Sequence, residues 1–145
     1  MSKRKYWGVI APYMPANVLA QLARQQQDAG LEGTFAAQVF GPPFIPLAAA
    51  ATSTDRLKLA SGIAIALTRS PFETAMAAVD MDHISNGRFV LGLGTSVKAW
   101  TEGIYGMPYG KPVPQLRECV QIIRAAIARS HTGELENFDG EYYHL

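Results

Sequence analysis

The sequence predicts an α/β fold in which helices cover a parallel sheet. Apolar runs alternate with amphipathic segments, the runs lack the polar alternation of half-exposed strands, and proline, glycine or asparagine separates the two kinds of segment. The chain has 145 residues, of which 48% are hydrophobic, so it is long enough for a domain with a buried core. No linker divides it, and we therefore predict one domain over residues 1–145.

The first half of the chain contains two strand–helix pairs. Residues 6–11 (YWGVIA) form an apolar run typical of a buried strand, and a helix is predicted to begin near Asn17. Gly30 stands where the cap at the carboxyl end of that helix is expected. Residues 33–40 predict the second strand, which a glycine and two prolines end, and residues 45–52 predict an alanine-rich helix.

The third strand is the longest apolar run, residues 57–67. Ser61 and Gly62 interrupt it, which indicates a bulge or a close approach of another backbone segment. Pro71 then opens a helix at the position that proline favours, with Ser70 as the expected N-cap. Asn86–Gly87 is expected to end this helix.

The last part of the chain contains a fourth strand, a loop, a helix and a tail. We predict the strand over residues 88–94, a loop rich in glycine, proline and tyrosine over 95–114, and a helix over 113–130. Residues 138–145 predict a small hairpin or an extended tail around Asp139–Gly140. The apolar stripe of the last helix is predicted to contain Leu116, Cys119, Val120, Ile123 and Ile127.

Composition excludes several classes of protein. A net charge of +1 argues against a nucleic-acid binder with a basic face. Cys119 is the single cysteine, which excludes an intrachain disulfide and fits a reducing cytoplasm. No apolar run reaches the roughly 18 residues of a membrane span. The three histidines lack metal-ligand spacing, so we predict no metal site, and we assign Asp80 and His83 to polar contacts at a helix end.

The predicted carboxyl ends of the strands carry few ionisable groups. In α/β folds these ends form the functional site, yet here they offer only Arg69 and Lys98. There is no paired carboxylate and no Ser-His-Asp or Cys-His set, so the ends suit a flat organic cofactor better than acid–base catalysis. Gly92 and Gly94 match part of a dinucleotide fingerprint, but Val97 stands where its third glycine belongs.

Four segments together resemble the luciferase-like monooxygenase superfamily. They are Arg69–Pro71, the run Asp80–Gly94 (DMDHISNGRFVLGLG), Gly30–Gly33 and the closing Phe138–Tyr143 (FDGEYY). In that superfamily an acidic helix end and a Ser-x-Gly-Arg turn lead into a strand that ends Gly-x-Gly. Among its branches, the chain is most similar to oxidoreductases that use the deazaflavin coenzyme F-420.

The resemblance implies the N-terminal half, about four β/α units, of a TIM (β/α)8 barrel that binds a deazaflavin at the strand ends. Hydride then passes between the coenzyme and a small organic substrate, with FMN as the alternative cofactor. It also implies a cis peptide at Ser61–Gly62 or Gly62–Ile63. The implied cofactor-binding residues are Gln38, Ser61, Gly62, Ile63, Ala64, Thr95 and Ser96. The implied substrate-binding residues are Tyr13, Phe44 and Trp100, whose rings suggest an apolar or planar molecule.

Some deazaflavin enzymes of the superfamily place a histidine at the end of the second strand and an acid after the fourth, and this sequence has neither, so we name no catalytic residue. A complete barrel takes roughly 250 residues, so we expect a barrel truncated before its C-terminal half, inactive alone, from a parent that forms a homodimer. Three alternatives remain open. They are an FMN-dependent monooxygenase half, a non-catalytic half-barrel that pairs with another chain, and a flavodoxin-like binding domain.

Overall fold

A computed structural model describes residues 4–134 and 137–145. These residues divide into two compact units. The first unit comprises Met1–Ala64 and Asp80–Leu93, and the second comprises Ile65–Val79 and Gly94–Leu145. The single domain over residues 1–145 stays a prediction, and each unit is described by itself.

A parallel sheet forms the centre of the first unit. Its strand order is β1-β2-β3-β5, and every neighbouring pair is parallel. Parallel strands need helical crossovers, which is why a helix follows each of the first three strands along the chain. A second sheet contains only β4 and β6. The strands are β1 (Trp7–Val9), β2 (Gly33–Ala36), β3 (Lys58–Ser61), β4 (Ala64–Ile65), β5 (Phe89–Val90) and β6 (Leu93–Gly94).

Two helices, α1 (Ala16–Asp28) and α2 (Phe44–Ser53), cover one face of this sheet. Their apolar side chains and those of the strands form one continuous core, because burying apolar side chains away from water is favourable. The fully or nearly buried members are Ile10, Leu19, Ala23, Ala36, Leu47, Ala50, Ala51, Leu57, Leu59 and Met81.

Helix α3 (Pro71–Ser85) begins in the second unit and ends in the first. The hydroxyl oxygen of Ser70 accepts a hydrogen bond from the N–H of Glu73 at 3.4 Å, so the predicted N-cap is confirmed. At the other end, Gly87 adopts a φ of 76° and donates its N–H to the carbonyl of Asp82 at 2.9 Å. Glycine adopts this left-handed conformation without a steric penalty, which is why the helix ends there.

The second unit contains a 3-10 turn (Ala66–Thr68), the first part of α3, α4 (Lys98–Gly103) and α5 (Pro112–Arg129). Cys119 of α5 is fully buried, with its sulfur 3.9 Å from the carbonyl oxygen of Ala66. The tail forms the predicted hairpin, with an antiparallel bridge between Asp139 and His144. Glu118 of α5 accepts hydrogen bonds from three backbone N–H groups of this tail.

Some predicted elements need correction. The third strand ends at Ser61 and resumes at Ala64, as the predicted break indicates, but its last residues form the 3-10 turn. The predicted loop over 95–114 contains the short helix α4, whose six residues are too few for a recognisable apolar period. The buried stripe of α5 is rotated by about one residue from the prediction. It contains Gln115, Cys119, Ile122, Ile123 and Ala126, and Ile127 is 40% exposed.

Across the part of the chain that the structure describes, every helix is too short or too polar to cross a lipid bilayer.

Candidate functional site

The carboxyl ends of the four parallel strands in the first unit carry no charged residue. Residues 6–23, 33–54, 59–64 and 89–93 contain the four parallel strands and the segments that follow them, and they include no Asp, Glu, Lys, Arg or His. At the opposite ends, Glu32 forms ion pairs with Lys5 at 3.2 Å and with Lys58 at 2.6 Å. Hydrogen bonds from Lys58 and Lys5 lower the pKa of Glu32.

A bulge follows β3 at the charge-free ends. The peptide bond between Gly62 and Ile63 is cis, at the second of the two positions that the resemblance implies. The carbonyl oxygen of Ile63 accepts a hydrogen bond from the N–H of Gln38 at 3.0 Å, and the N–H of Ala64 donates to Gly92 at 2.9 Å. The bulge is thereby joined to the end of β2 and to the strand region that follows β5.

The structure brings five of the predicted cofactor-binding residues together here, because the Gln38 N–H bonds to the carbonyl of Ile63 within the bulge residues 61–64. Their side chains are not equally accessible to a ligand. Ser61, Ala64 and Gln38 are buried, and the Ser61 hydroxyl donates to the carbonyl of Gly92 at 2.8 Å and accepts its N–H at 2.9 Å. Ile63, with 36% of its surface exposed, is the bulge side chain that a ligand can touch.

An aromatic pair stands at the ends of β1 and β2. Tyr13 has a φ of 68°, a conformation that a bulky residue seldom adopts and that is characteristic of functional sites. Its hydroxyl oxygen accepts a hydrogen bond from the N–H of Phe40 at 3.2 Å, and the ring centroids lie 6.5 Å apart. Both rings are exposed, Tyr13 by 69% and Phe40 by 59%.

Phe44, the second predicted substrate contact, has a different environment. Its ring packs against the hydrophobic core and meets Phe89 edge to face, with centroids 6.1 Å apart. This contact by itself accounts for an aromatic residue at the start of α2. A role of Phe44 in substrate binding stays a prediction.

The remaining predicted site residues belong to the second unit. Ser96 has a φ of 58°, and its carbonyl oxygen accepts hydrogen bonds from Thr95 at 3.3 Å and from the Tyr109 hydroxyl at 3.1 Å. The hydroxyls of Thr95 and Tyr109 are therefore used to hold this turn. Trp100 lies half-buried on α4, and its role in substrate binding stays a prediction.

The second unit also contains a cavity of about 620 Å³. Arg69 and three tyrosines, Tyr109, Tyr142 and Tyr143, are among the residues that line it. Burial lowers the pKa of Arg69 against the opposing effect of Glu73, and burial raises the pKa of Tyr143. The cavity combines a partly desolvated cation with aromatic walls, whereas the strand ends of the first unit have no charge at all.

Within residues 4–134 and 137–145, no three His, Cys, Asp or Glu side chains are grouped so that they could hold a metal ion. His83 occupies the last turn of α3. The Ser-x-Gly-Arg turn beyond it has a structural role, because the Ser85 hydroxyl accepts the N–H of Arg88 at 3.2 Å and the Arg88 side chain donates to the carbonyl of Ser85 at 2.6 Å.

A model of the luciferase-like monooxygenase family matches residues 6–145, from the start of the first strand to the end of the tail. The chain belongs to this family. The predicted fold class, an α/β half of a β/α barrel with a parallel sheet, is confirmed by the sheet and by the solved structures that the chain matches.

One curated relative and two solved structures are similar to this chain. A Mycobacterium tuberculosis protein provisionally named as a coenzyme F-420-dependent oxidoreductase is 38% identical over 86% of this chain and 35% of its own length. The coenzyme F-420-dependent tetrahydromethanopterin reductase of Methanopyrus kandleri aligns with a TM-score of 0.82 and 24% identity, over 99% of this chain and 45% of its own. The FMN-bound oxygenating constituent of 3,6-diketocamphane monooxygenase from Pseudomonas putida aligns with a TM-score of 0.79 and 19% identity, over 99% of this chain and 44% of its own.

The luciferase-like chain thus spans about a third of the curated relative and under half of the two solved structures. Sequence reasoning did not include Phe40 among the site residues. An aromatic residue directly before the Gly41–Pro43 break, at the end of the predicted strand 33–40, is the sequence signal that could have identified it.

Proposed function

We propose that the chain is part of a cytoplasmic luciferase-like oxidoreductase that transfers hydride between coenzyme F-420 and a small organic substrate. The observation that carries the proposal is the charge-free carboxyl end of the first unit's sheet. This end presents backbone groups, the exposed Ile63 and aromatic rings. Sites for flat organic molecules are mostly apolar, with a few fixed polar groups, and this surface has that chemistry.

The residues of this end fit the ring of such a coenzyme. Ile63 offers an apolar contact beside the carbonyl that already accepts the Gln38 N–H. When bound, a deazaflavin itself accepts or supplies a hydride, one hydrogen with its two electrons. The chain's own residues would hold the ring, exclude water and orient the substrate. This division of roles agrees with the absence of Asp, Glu, Lys, Arg and His from the segments 6–23, 33–54, 59–64 and 89–93.

The choice of F-420 over FMN rests on the M. tuberculosis relative, which is 38% identical, whereas the FMN-bound structure is 19% identical and supports the fold alone. We test it by sedimentation of the purified chain with each cofactor, following cofactor absorbance. F-420 is expected to sediment with the protein and FMN is not. The reverse result would identify an FMN-dependent enzyme, and sedimentation of neither would contradict cofactor binding by this chain.

A matched pair of variants makes this test specific to the bulge. Ile63→Glu places a charge on the exposed bulge residue, and we expect F-420 binding to weaken at least about tenfold because the carboxylate has no counter-charge there. Ile84→Glu, at an exposed position on α3 in the same unit, is the control. Equal binding by both variants would show that the coenzyme is held elsewhere. We also expect no turnover by the 145-residue chain, and turnover would refute that expectation.

A second candidate is a non-catalytic half-barrel that pairs with a second copy of itself. Val9, Phe35, Ala60 and Val90 lie side by side across the sheet, on the face opposite α1 and α2. Val9 is 57% and Val90 48% exposed, and both belong to edge strands. Exposed apolar rows and open edges favour association.

Concentration-dependent sedimentation of the wild-type chain without cofactor would support this second candidate. Val90→Lys should then return it to a monomer, whereas Ile84→Lys should leave it associated. A chain that stays monomeric at every concentration would exclude the second candidate. A homodimer of the longer parent enzyme also remains a proposal.

A further inference from the structure

We propose that Tyr13 and Phe40 bind the substrate, and that this substrate is an uncharged planar molecule with a carbonyl or hydroxyl oxygen. The inference rests on the proposed function, since it names the substrate class of the same strand ends. It follows from the charge pattern of the first unit, from the geometry of the two rings and from one phenolic hydrogen.

The distribution of charged residues in the first unit disfavours a charged substrate. The strands end in segments without Asp, Glu, Lys, Arg or His, whereas Lys5, Glu32, Lys58 and Arg88 stand at the beginning of β1, β2, β3 and β5. An anion or cation held at the charge-free end would lose hydration without meeting an opposite charge. A neutral molecule has a much smaller penalty.

The Tyr13 ring is held in place before any ligand arrives, and the Phe40 ring lies beside it. The left-handed backbone of Tyr13, with φ 68°, brings its hydroxyl to the N–H of Phe40, 27 residues further along the chain. The ring planes are tilted by 38°, with centroids 6.5 Å apart. Both exposed rings offer apolar contact area to a flat ligand, and the Tyr13 ring does so with little further loss of conformational entropy because its hydroxyl is already bonded.

The hydrogen bond to Phe40 also determines what Tyr13 can do next. The phenolic oxygen accepts the Phe40 N–H, so its own hydrogen is not used in that contact. A phenol can donate one hydrogen bond while it accepts another. Tyr13 can therefore donate to a carbonyl or hydroxyl oxygen of the substrate, the kind of oxygen at which hydride transfer interconverts ketones and alcohols.

The test compares two probes with the same ring system. 2-Acetonaphthone is neutral and carries a carbonyl, and 2-naphthoate replaces the methyl ketone by a carboxylate. Binding to the 145-residue chain at pH 7.5 is measured by ligand-detected NMR. We expect 2-acetonaphthone to bind at least about tenfold more tightly than 2-naphthoate. Equal affinities, or no binding of 2-acetonaphthone up to about 1 mM, would overturn the proposal.

Variants then assign the binding to the two rings. Phe40→Ala and Tyr13→Ala should each weaken 2-acetonaphthone binding at least about fivefold. Tyr13→Phe keeps the ring but removes both the donor to the substrate and the acceptor of the Phe40 N–H, and it should weaken binding about twofold to fivefold. Tyr6→Ala is the control, because Tyr6 is 63% exposed and directly precedes β1 at its amino end. Unchanged binding in both alanine variants, with unchanged circular dichroism, would show that the rings do not bind the probe.

The two proposals can fail separately. If F-420 does not bind but 2-acetonaphthone binding depends on Phe40, the coenzyme assignment fails and the aromatic site stands. If F-420 binds and 2-acetonaphthone does not, the substrate class fails and the coenzyme assignment stands.

Discussion

The guanidinium group of Arg88 donates a hydrogen bond to the carbonyl oxygen of Ala51 at 2.9 Å, and so closes the carboxyl end of α2. The same side chain donates to the carbonyls of Thr54 at 3.0 Å and Leu57 at 2.8 Å. Helix ends leave carbonyl groups without intrahelical partners. Arg88, the arginine of the Ser-x-Gly-Arg turn, supplies a partner for the Ala51 carbonyl and anchors the end of α2, and the segment that follows it, to the start of β5.

Arg88→Lys tests this role. A lysine ammonium cannot reproduce the planar fork that contacts Ala51, Thr54 and Leu57 together, so we expect the free energy of unfolding to fall by about 2 kcal/mol. Urea denaturation followed by circular dichroism measures the change. Arg24→Lys, at an exposed position on α1, is the control and should be nearly neutral. Equal stability of the two variants would contradict the structural role of Arg88.

Gly92→Ala tests the close approach between β3 and the segment after β5. A Cβ atom at Gly92 would overlap the backbone carbonyl oxygen of Ser61, which cannot move without breaking β3. We expect a loss of about 2 kcal/mol or more in unfolding free energy, measured by thermal and urea denaturation. Gly41→Ala, where a Cβ would meet nothing within 4 Å, should be tolerated. A stable Gly92→Ala protein would mean that the strands are not so closely spaced.

The hydrogen bonds that Glu118 accepts from the tail predict that the stability of the tail depends on pH. Burial of its carboxylate would raise its pKa, but hydrogen bonds from the N–H groups of Tyr142, Glu141 and Tyr143 outweigh burial, and the pKa of Glu118 is lowered. Folding therefore gains stability from Glu118 above the pKa of the unfolded chain, roughly 4.3. This stability is lost as the pH falls through the lower pKa of the folded protein.

Amide hydrogen exchange at residues 141–143, corrected for intrinsic rates, measures this effect. Protection should decrease on acidification below a pH of about 4.3. In Glu118→Gln, protection should be weaker at neutral pH and largely independent of pH. Glu134→Gln, at an exposed site on the same unit, should keep the wild-type profile. A Glu118→Gln tail as well protected as the wild type would refute the role of the carboxylate.

Cys119 is predicted to be unreactive in the native protein. Burial raises the pKa of its thiol to about 11, with Arg69 acting in the opposite direction. Since the thiolate is the reactive form, its fraction at pH 8 should be at least about a hundredfold smaller than for an exposed thiol. Reaction with a chromogenic disulfide should therefore be slow in buffer and fast in guanidinium chloride. Similar rates in the two solvents would show that the thiol is accessible.

Local sequence signals predicted most of the elements. Ser70 and Pro71 mark the start of α3, and Asn86–Gly87 marks its end, because capping and left-handed conformations depend on one or two residues. The break at Ser61–Gly62 could also be predicted, since a serine and a glycine interrupt a long apolar run. The six residues of α4 were missed, because a helix of this length leaves no apolar period.

The sequence by itself determined the order of strands and helices along the chain and the absence of charge after β1, β2, β3 and β5, because both are properties of consecutive residues. Only the tertiary structure decided which side chains meet across long separations. The contact of Tyr13 with Phe40, the bond of Gln38 to Ile63 and the burial of Phe44 against Phe89 each join segments at least 25 residues apart. Such contacts depend on how the sheet arranges its strands, and no local pattern of residues encodes them.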